Sequence, residues 1–247
     1  MSGVAHLELA YQLANPDYTF DIDTFNRLNN ALALRLEHVP LQQIAGGSWF
    51  YDLWFQVSDK VLSPRSETEL LVEEAYRYGQ RMNNRQDMKQ AMRILDAFTG
   101  TGAVGISLSQ RLWREEIPNY LVLSDISPDA AKLAEANATR YLERDSFQVE
   151  TCDLWPPENG RYDLLTANPP YIPSGEIETL MPEVSVHEPH LALDGGLDGL
   201  LYYRRLALEA PDYLNKDGAL FIEIGAGQSG EVEQLFLEQG WKKIRVV

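Results

Sequence analysis

A doubly wound α/β sheet, preceded by a small helical part and a β-hairpin, is the architecture this sequence predicts. Three observations carry it. From residue 93 onward, apolar runs of strand length alternate with amphipathic runs of helix length, the pattern of a parallel sheet covered on both faces. Residues 21–38 repeat apolar side chains (Ile22, Phe25, Leu28, Leu32, Leu36, Val39) at three- and four-residue steps. Between the two, residues 48–63 are rich in aromatic and β-branched residues. With 247 residues, 45% of them hydrophobic and 23% charged, the chain can build a sizeable core. Disordered and fibrous classes are excluded on the same proportions.

Taken in order, a first helix is expected over 5–14 and a second over 21–38, with Asn15-Pro16-Asp17 between them and Asp21 or Asp23 as cap. Pro40 and Gly46-Gly47 close this helical part, residues 1–46. A hairpin linker follows over 47–64, with Ser58-Asp59 at its middle. Ser66 and Glu69 have capping-box spacing and open a helix through Leu70, Leu71 and Ala75, and the polar stretch Gly79–Gln90 reads as a loop. In the main domain, 65–247, strands are expected at 93–98, 120–125, 147–151, 162–167, 218–225 and 242–247. Helices are expected at 103–114, 128–142, 197–214 and 229–239.

Charge narrows the partners. Lys plus Arg number 21 and Asp plus Glu 37, a net −16. Proteins that hold nucleic acid neutralise its phosphates with Lys and Arg, and the longest basic cluster here is Lys242, Lys243, Arg245. Direct nucleic-acid binding is therefore disfavoured, and a basic protein partner or a small molecule fits better. No apolar run approaches the 18 or so residues of a membrane span. The first residues lack the basic and apolar regions of a secretory signal, and one cysteine, Cys152, cannot form an internal disulfide. A cytoplasmic location with no membrane association is the expectation.

Ligand chemistry is written at the strand ends. After the first strand of the main domain comes Phe98-Thr99-Gly100-Thr101-Gly102, a small-residue turn into a helix. Its glycines allow close backbone approach, and the helix N-terminal amides lie free. The second strand ends in Asp125, which can accept from both ribose hydroxyls or can simply cap the helix that begins at Ser127-Pro128. The third ends at Asp153-Leu154, where a carboxylate can accept from an adenine amine and a leucine can lie against the ring. Together these imply an adenosine-containing cofactor, without separating a nicotinamide dinucleotide from S-adenosylmethionine.

Asn168-Pro169-Pro170-Tyr171 decides the reaction. Two consecutive prolines fix φ and remove two amide donors, so the carbonyls of Asn168 and Pro169 join the Asn168 side-chain oxygen as an acceptor cluster. Tyr171 adds an aromatic face. The cluster suits a planar NH2 group, whose delocalised lone pair is a poor nucleophile until its N–H bonds are held out of plane. An activated methyl would be the electrophile, with orientation supplying most of the rate.

These motifs resemble the HemK/PrmC family, S-adenosylmethionine-dependent methyltransferases of the glutamine in the Gly-Gly-Gln motif of peptide chain release factors. DAFTGTGAVGI, LSDISPDAAKLAEANA, CDLW and NPPYIPSGEIETLMPEVSVHEPHLALDGGLDGLLYYRRL carry the likeness, with PLQQIAGGSWFYDLWFQVSDKVLSPRSETELLVEEA upstream. It implies a Rossmann-like class I methyltransferase fold with a helical substrate-recognition domain over 1–46. It further implies that Phe98, Thr99, Gly100, Thr101 and Gly102 line the methionine end of the cofactor and that Asp125 holds the ribose. Asp153 and Leu154 would border the adenine. Asn168 would touch both cofactor and substrate, and Pro169, Pro170 and Tyr171 would hold the glutamine, with Asn168, Pro169 and Tyr171 as the catalytic set. The segment with Arg65 and Glu67 would pack near the site. The family usually has glycine at position 98, has a longer helical part, and continues with a strand containing arginine after the position of Val247. The rivals are a glutamine methyltransferase of a large-subunit ribosomal protein, a nucleic-acid adenine methyltransferase, and a non-catalytic binding protein on the same scaffold. No metal is expected: His187, Glu188 and His190 lack a further ligand. Glu223 reads as a sheet-edge residue or as one facing the substrate pocket, Trp49, Trp54 and Phe55 as hairpin packing or a grip on a partner, and Cys152 as an unreactive thiol.

Overall fold

A computed structural model describes residues 21–84, 90–157 and 160–247, divided between Val39 and Pro40 into two compact units. The first contains α1, Ile22–Leu36, whose N-terminus is capped by the Asp21 carboxylate accepting from the Thr24 amide at 2.8 Å. The helix expected over 5–14 lies outside the described residues.

The second unit opens with a short helix, α2, Leu41–Ala45, stopped by Gly46 at φ 68°. Strands β1, Gly47–Phe50, and β2, Leu53–Gln56, then pair antiparallel. The hairpin turns at Tyr51-Asp52, not at Ser58-Asp59, where only an isolated bridge joins Ser58 to Val61. Tyr51 and Asp52 take φ 50° and 61°, the left-handed pair that matches strand twist in a two-residue hairpin. A tyrosine tolerates this because distant groups hold it. Its amide donates to Glu69 Oε1 at 3.1 Å, its hydroxyl donates to Glu73 Oε2 at 2.7 Å, and the Arg111 guanidinium lies 4.8 Å from its ring.

Glu69 is thereby spent, and the expected capping box does not form: the Ser66 hydroxyl donates to Glu67 Oε2 at 3.1 Å instead. A tight turn over Ser66–Thr68 leads into α3, Glu69–Asn83. The helix runs through part of the expected Gly79–Gln90 loop. Gly79 is a packing glycine, since a Cβ there would sit 3.1 Å from Leu112 Cδ2.

The main sheet contains β3, Met92–Ala97, β4, Asn119–Asp125, β5, Phe147–Thr151, β6, Tyr162–Ala167, and β7, Leu214–Ile222. All pairings are parallel and the order is β5-β4-β3-β6-β7. Winding reverses between β3 and β6, and such a switch opens a crevice at the carboxyl ends of the strands. Alternation across the sheet builds two apolar layers. Ile94, Leu121, Leu123 and Leu164 pack with α3, with α4 (Ala103–Arg114) and with α5 (Pro128–Tyr141). Leu95, Val122 and Leu165 pack with Ala210 and Leu214 on the opposite face. Nearer the strand ends Ala97 and Ala167 meet Tyr203 and Leu206, and the same cluster takes in Val232 and Phe236. Each fully buried leucine contributes roughly 2 kcal/mol of transfer free energy.

Two expected elements change. The helix expected from 197 begins at Leu201, after the four-residue α6, Pro182–Ser185, and a loop in which Gly196 and Gly199 take φ 86° and 74°; this helix is α7, Leu201–Glu209. After α8, Ser229–Glu238, no strand forms over 242–247. There Trp241 turns inward instead, its Nε1 donating to the Ala207 carbonyl at 2.7 Å and its ring 5.2 Å from that of Phe236, while Lys243 adopts φ 60°.

Candidate active site

A cleft opens at the carboxyl ends of β3, β4 and β6. Val61–Arg65 and Thr68 form one wall and Pro189, Leu191 and Ala192 another. Its floor is organised by Asp96, the buried fifth residue of β3. Asp96 Oδ2 accepts from the Thr99 hydroxyl at 2.6 Å and the Gly105 amide at 3.1 Å, while Oδ1 accepts from the Thr166 hydroxyl at 2.7 Å. Burial pushes its carboxyl up to about 6 despite these donors. The loop over 98–102 is therefore tied to both neighbouring strands and to α4. Gly100 and Gly102 take φ 55° and 81°, and Phe98 takes φ 56°, a region unfavourable to side chains. The Phe98 ring is held edge-on to Tyr202, 5.0 Å between centroids. Gly102 at the N-cap has no side chain to cap α4, and Asp96 takes the Gly105 amide, which leaves the Ala103 and Val104 amides to a ligand.

Asp125, just before the next helix, is held by two backbone amides. Oδ1 accepts from the Ser127 amide and Oδ2 from the Gly100 amide, each at 2.9 Å, and the carboxylate still lines the cleft. Burial raises its pKa. Leu154, buried at φ 70°, lines the same wall, and its carbonyl accepts from the Ser124 hydroxyl at 3.1 Å. Asp153 borders the cleft with its Oδ1 paired to Arg205 at 2.8 Å, so a base amine there would share the carboxylate with a guanidinium. The cations lining the cleft are already matched: Lys60 pairs with Asp129 at 3.3 Å and Arg65 with Glu188 at 3.0 Å. A cleft edged by Asp96, Asp125 and Asp153 suits a cationic sulfonium better than a pyrophosphate.

At the end of β6, Asn168 and Pro170 line the cleft, while Pro169 is buried behind them and Tyr171 is half-buried outside it. The corner is braced from its far side. A Cβ at Gly195 would lie 2.8 Å from the Tyr171 Cα and carbonyl carbon, and Gln228 Nε2 donates to the Tyr171 carbonyl at 3.0 Å. Gly195 also donates its amide to the Ile172 carbonyl at 2.8 Å. Gly195 and Gly199 are thus close-approach glycines for the Asn-Pro-Pro-Tyr corner.

Several site residues had little local signal in the sequence. Asp96 looks like any residue near a strand end, and Glu188 meets Arg65 across 123 positions. Thr68 reaches Asn168 across 100 positions, where Asn168 Nδ2 donates to Thr68 Oγ1 at 3.3 Å. Of the expected PRSETE residues, Arg65 lines the cleft and Glu67 does not. Cys152 is pushed up to about 11, first by burial and then by the carboxylates of Glu150, Asp153 and Asp125, so its thiol stays protonated. Among the described residues, no three His, Cys, Asp or Glu side chains converge as metal ligands would, and no helix is long and apolar enough to cross a membrane.

The Glu188 side chain is fully buried, and burial raises its carboxyl from 4.5 to about 7 against the opposing pull of Arg65. Below pH 4.5 the group is protonated whether the chain is folded or not. Between pH 4.5 and 7 the folded chain keeps a proton that the unfolded chain releases, so stability falls as pH rises. Asp96 adds the same sign below about 6. Urea unfolding across this window should show Glu188→Gln with a flatter pH profile, the two differing in their change by roughly 2 kcal/mol. Parallel profiles would contradict the assignment.

A doubly wound parallel sheet with a glycine turn, an acid after the second strand and an Asn-Pro-Pro-Tyr corner after the fourth defines a Rossmann-like class I methyltransferase. The catalytic domain of hMettl16, solved with a MAT2A 3'UTR hairpin, shares this fold at TM-score 0.59 and 15% identity, over 78% of this chain and 69% of that one. No protein-family model matches the chain. The release factor glutamine methyltransferase of Geobacter sulfurreducens is 39% identical over 210 residues, 85% of this chain and 69% of that protein. Its counterpart in Clostridium acetobutylicum is 32% identical over 247 residues, 99% of this chain and 83% of the relative. The chain belongs to the release factor glutamine methyltransferase family.

Proposed function

We propose that this protein transfers a methyl group from S-adenosylmethionine to the side-chain amide nitrogen of the glutamine in the Gly-Gly-Gln motif of peptide chain release factors. The observation that carries this reading is the Asn168 side chain facing the same cleft as Asp125, the glycine turn and Leu154. Family membership supplies the substrate class. The cofactor fits on three grounds: the Ala103 and Val104 amides of α4 for a carboxylate tail, a carboxylate at Asp125 for ribose hydroxyls, and carboxylates in the cleft for a sulfonium. Bound there, it supplies an electrophilic methyl.

The chain's own contribution is orientation. Asn168 Oδ1 and the Pro169 carbonyl each accept one N–H of the glutamine amide, which turns the nitrogen lone pair toward the methyl carbon. Held by residues 98–102, Asp125, Asp153 and Leu154, the sulfonium would supply its methyl as an electrophile and leave as a neutral thioether, and the methylated amide nitrogen would lose one proton to solvent. Pro170 narrows the approach. Phe98, Thr99, Gly100, Thr101 and Gly102 hold the methionine end, Asp153 and Leu154 the base, and Tyr171 the substrate side of the corner. We assign residues 1–46 to substrate recognition and residues 47–64 to a hairpin linker to the catalytic domain, 65–247. Net charge −16 supports a protein substrate over nucleic acid, and a single cysteine supports a cytoplasmic setting. Mass spectrometry of a release factor incubated with enzyme and S-adenosylmethionine should find one added methyl on the Gly-Gly-Gln glutamine. Absence of that methyl, or a methyl on another residue, would overturn the reading.

A further inference from the structure

A primary amide has an oxygen end and a nitrogen end of nearly the same shape, and only the oxygen end can accept a substrate N–H. Something must decide which end of Asn168 faces the cleft. Two side chains flank it. Thr68, buried in the turn before α3, takes the Asn168 Nδ2 hydrogen on its Oγ1 at 3.3 Å. Glu223 follows β7, and its amide donates to the Ala167 carbonyl at 3.0 Å, which seats it next to the β6 end. Its carboxylate interacts with the side chains of both Thr68 and Asn168, and its Oε2 is buried with no hydrogen-bond partner. Thr68, having accepted from Asn168, has its own proton to give, and the adjoining carboxylate can only accept. The nitrogen end of Asn168 is therefore drawn to Thr68 and Glu223 together, which leaves its Oδ1 to the other side.

We propose that Thr68 and Glu223 are positioning residues that lock the Asn168 amide with its nitrogen toward them and its Oδ1 toward the substrate. This rests on the glutamine methyltransferase reading above. Neither residue needs to touch the substrate: their effect passes through the orientation of one amide. Burial raises the Glu223 carboxyl, and Thr68 and Asn168 oppose that rise. It also gives Thr68 a part in the reaction that the helix-start reading of its segment does not contain.

The test compares wild type with Thr68→Val, which keeps shape and loses the hydroxyl, Thr68→Ser, which keeps the hydroxyl, and Glu223→Gln, which can donate as well as accept. Steady-state methylation of a release factor and calorimetric titration with S-adenosylhomocysteine are the readouts, with urea unfolding as a check on folding. Thr68→Val and Glu223→Gln should lower kcat about tenfold, with protein KM and cofactor Kd moving less than about twofold, as expected when geometry and not binding is lost. Thr68→Ser should return kcat to within about twofold of wild type. Wild-type kcat in Thr68→Val, or equal loss in the valine and serine variants, would overturn the assignment. If the valine variant does not fold, Glu223→Gln decides alone: unchanged kcat refutes the proposal. A wild-type enzyme without product refutes the glutamine reading and this inference together, whereas an active wild type with unaffected variants refutes only the inference.

Discussion

Asn168→Ala is expected to lower kcat for release factor methylation by about 100-fold or more while leaving the fold intact. Asn168 is only half-buried, and it closes no apolar layer, so its removal leaves little cavity. What disappears is an acceptor at the mouth of the reaction cleft. The amide nitrogen is then held by the Pro169 carbonyl alone, and its lone pair is free to remain in the plane of the substrate amide. The check is single-turnover methyl transfer at saturating cofactor, alongside a cofactor titration. Transfer at the wild-type rate would mean that the corner does not hold the reacting amide.

Asp96→Ala should produce the second large effect, this time on stability and cofactor binding together. Removing the carboxylate leaves the Thr99 and Thr166 hydroxyls and the Gly105 amide without their acceptor in a buried place. Orphaned buried donors cost about 1–3 kcal/mol each, partly offset because the buried carboxylate is itself unfavourable at neutral pH, with its pKa raised to about 6. A net loss of about 2–4 kcal/mol is expected from urea unfolding. The loop over 98–102 loses its tie to β6, so affinity for S-adenosylhomocysteine should weaken about tenfold or more. Asp96→Asn is the control. Its oxygen can still accept from Thr99 and Gly105, and its nitrogen can donate to a rotated Thr166 hydroxyl, so most of both losses should be recovered. Equal damage in the two variants would point to the carboxylate's charge and not to its acceptor geometry.

Where the sequence was legible, the deciding physics was local. The bounds of β5, β6 and α4 match those expected from the sequence, because their apolar positions recur locally, as Phe147 and Val149 do in β5 and Tyr162, Leu164 and Leu165 in β6. The strand-end residues were legible for the same reason: Asp125 and Asn168 stand where a parallel strand must stop, and the structure brings both to one cleft. Features set by distant partners were not. Tyr51-Asp52 has no glycine or asparagine to mark a left-handed turn, and its conformation depends on Glu69, Glu73 and Arg111. Gly79 carries the look of a loop residue but answers to Leu112 on a neighbouring helix. Trp241 draws the final residues toward α7 in place of a strand. For Glu223 the sequence leaves sheet edge and substrate pocket both open, and nothing in its own neighbourhood of the chain announces Thr68 or Asn168.

The glycine at 195, pressed against the backbone of Tyr171, carries a lesson for anyone wishing to retarget this enzyme. Because main chain rests on main chain there, any side chain at 195 would push the reacting corner out of place. New substrate preferences must be engineered at exposed cleft positions such as Leu191, while the scaffold beneath is left untouched.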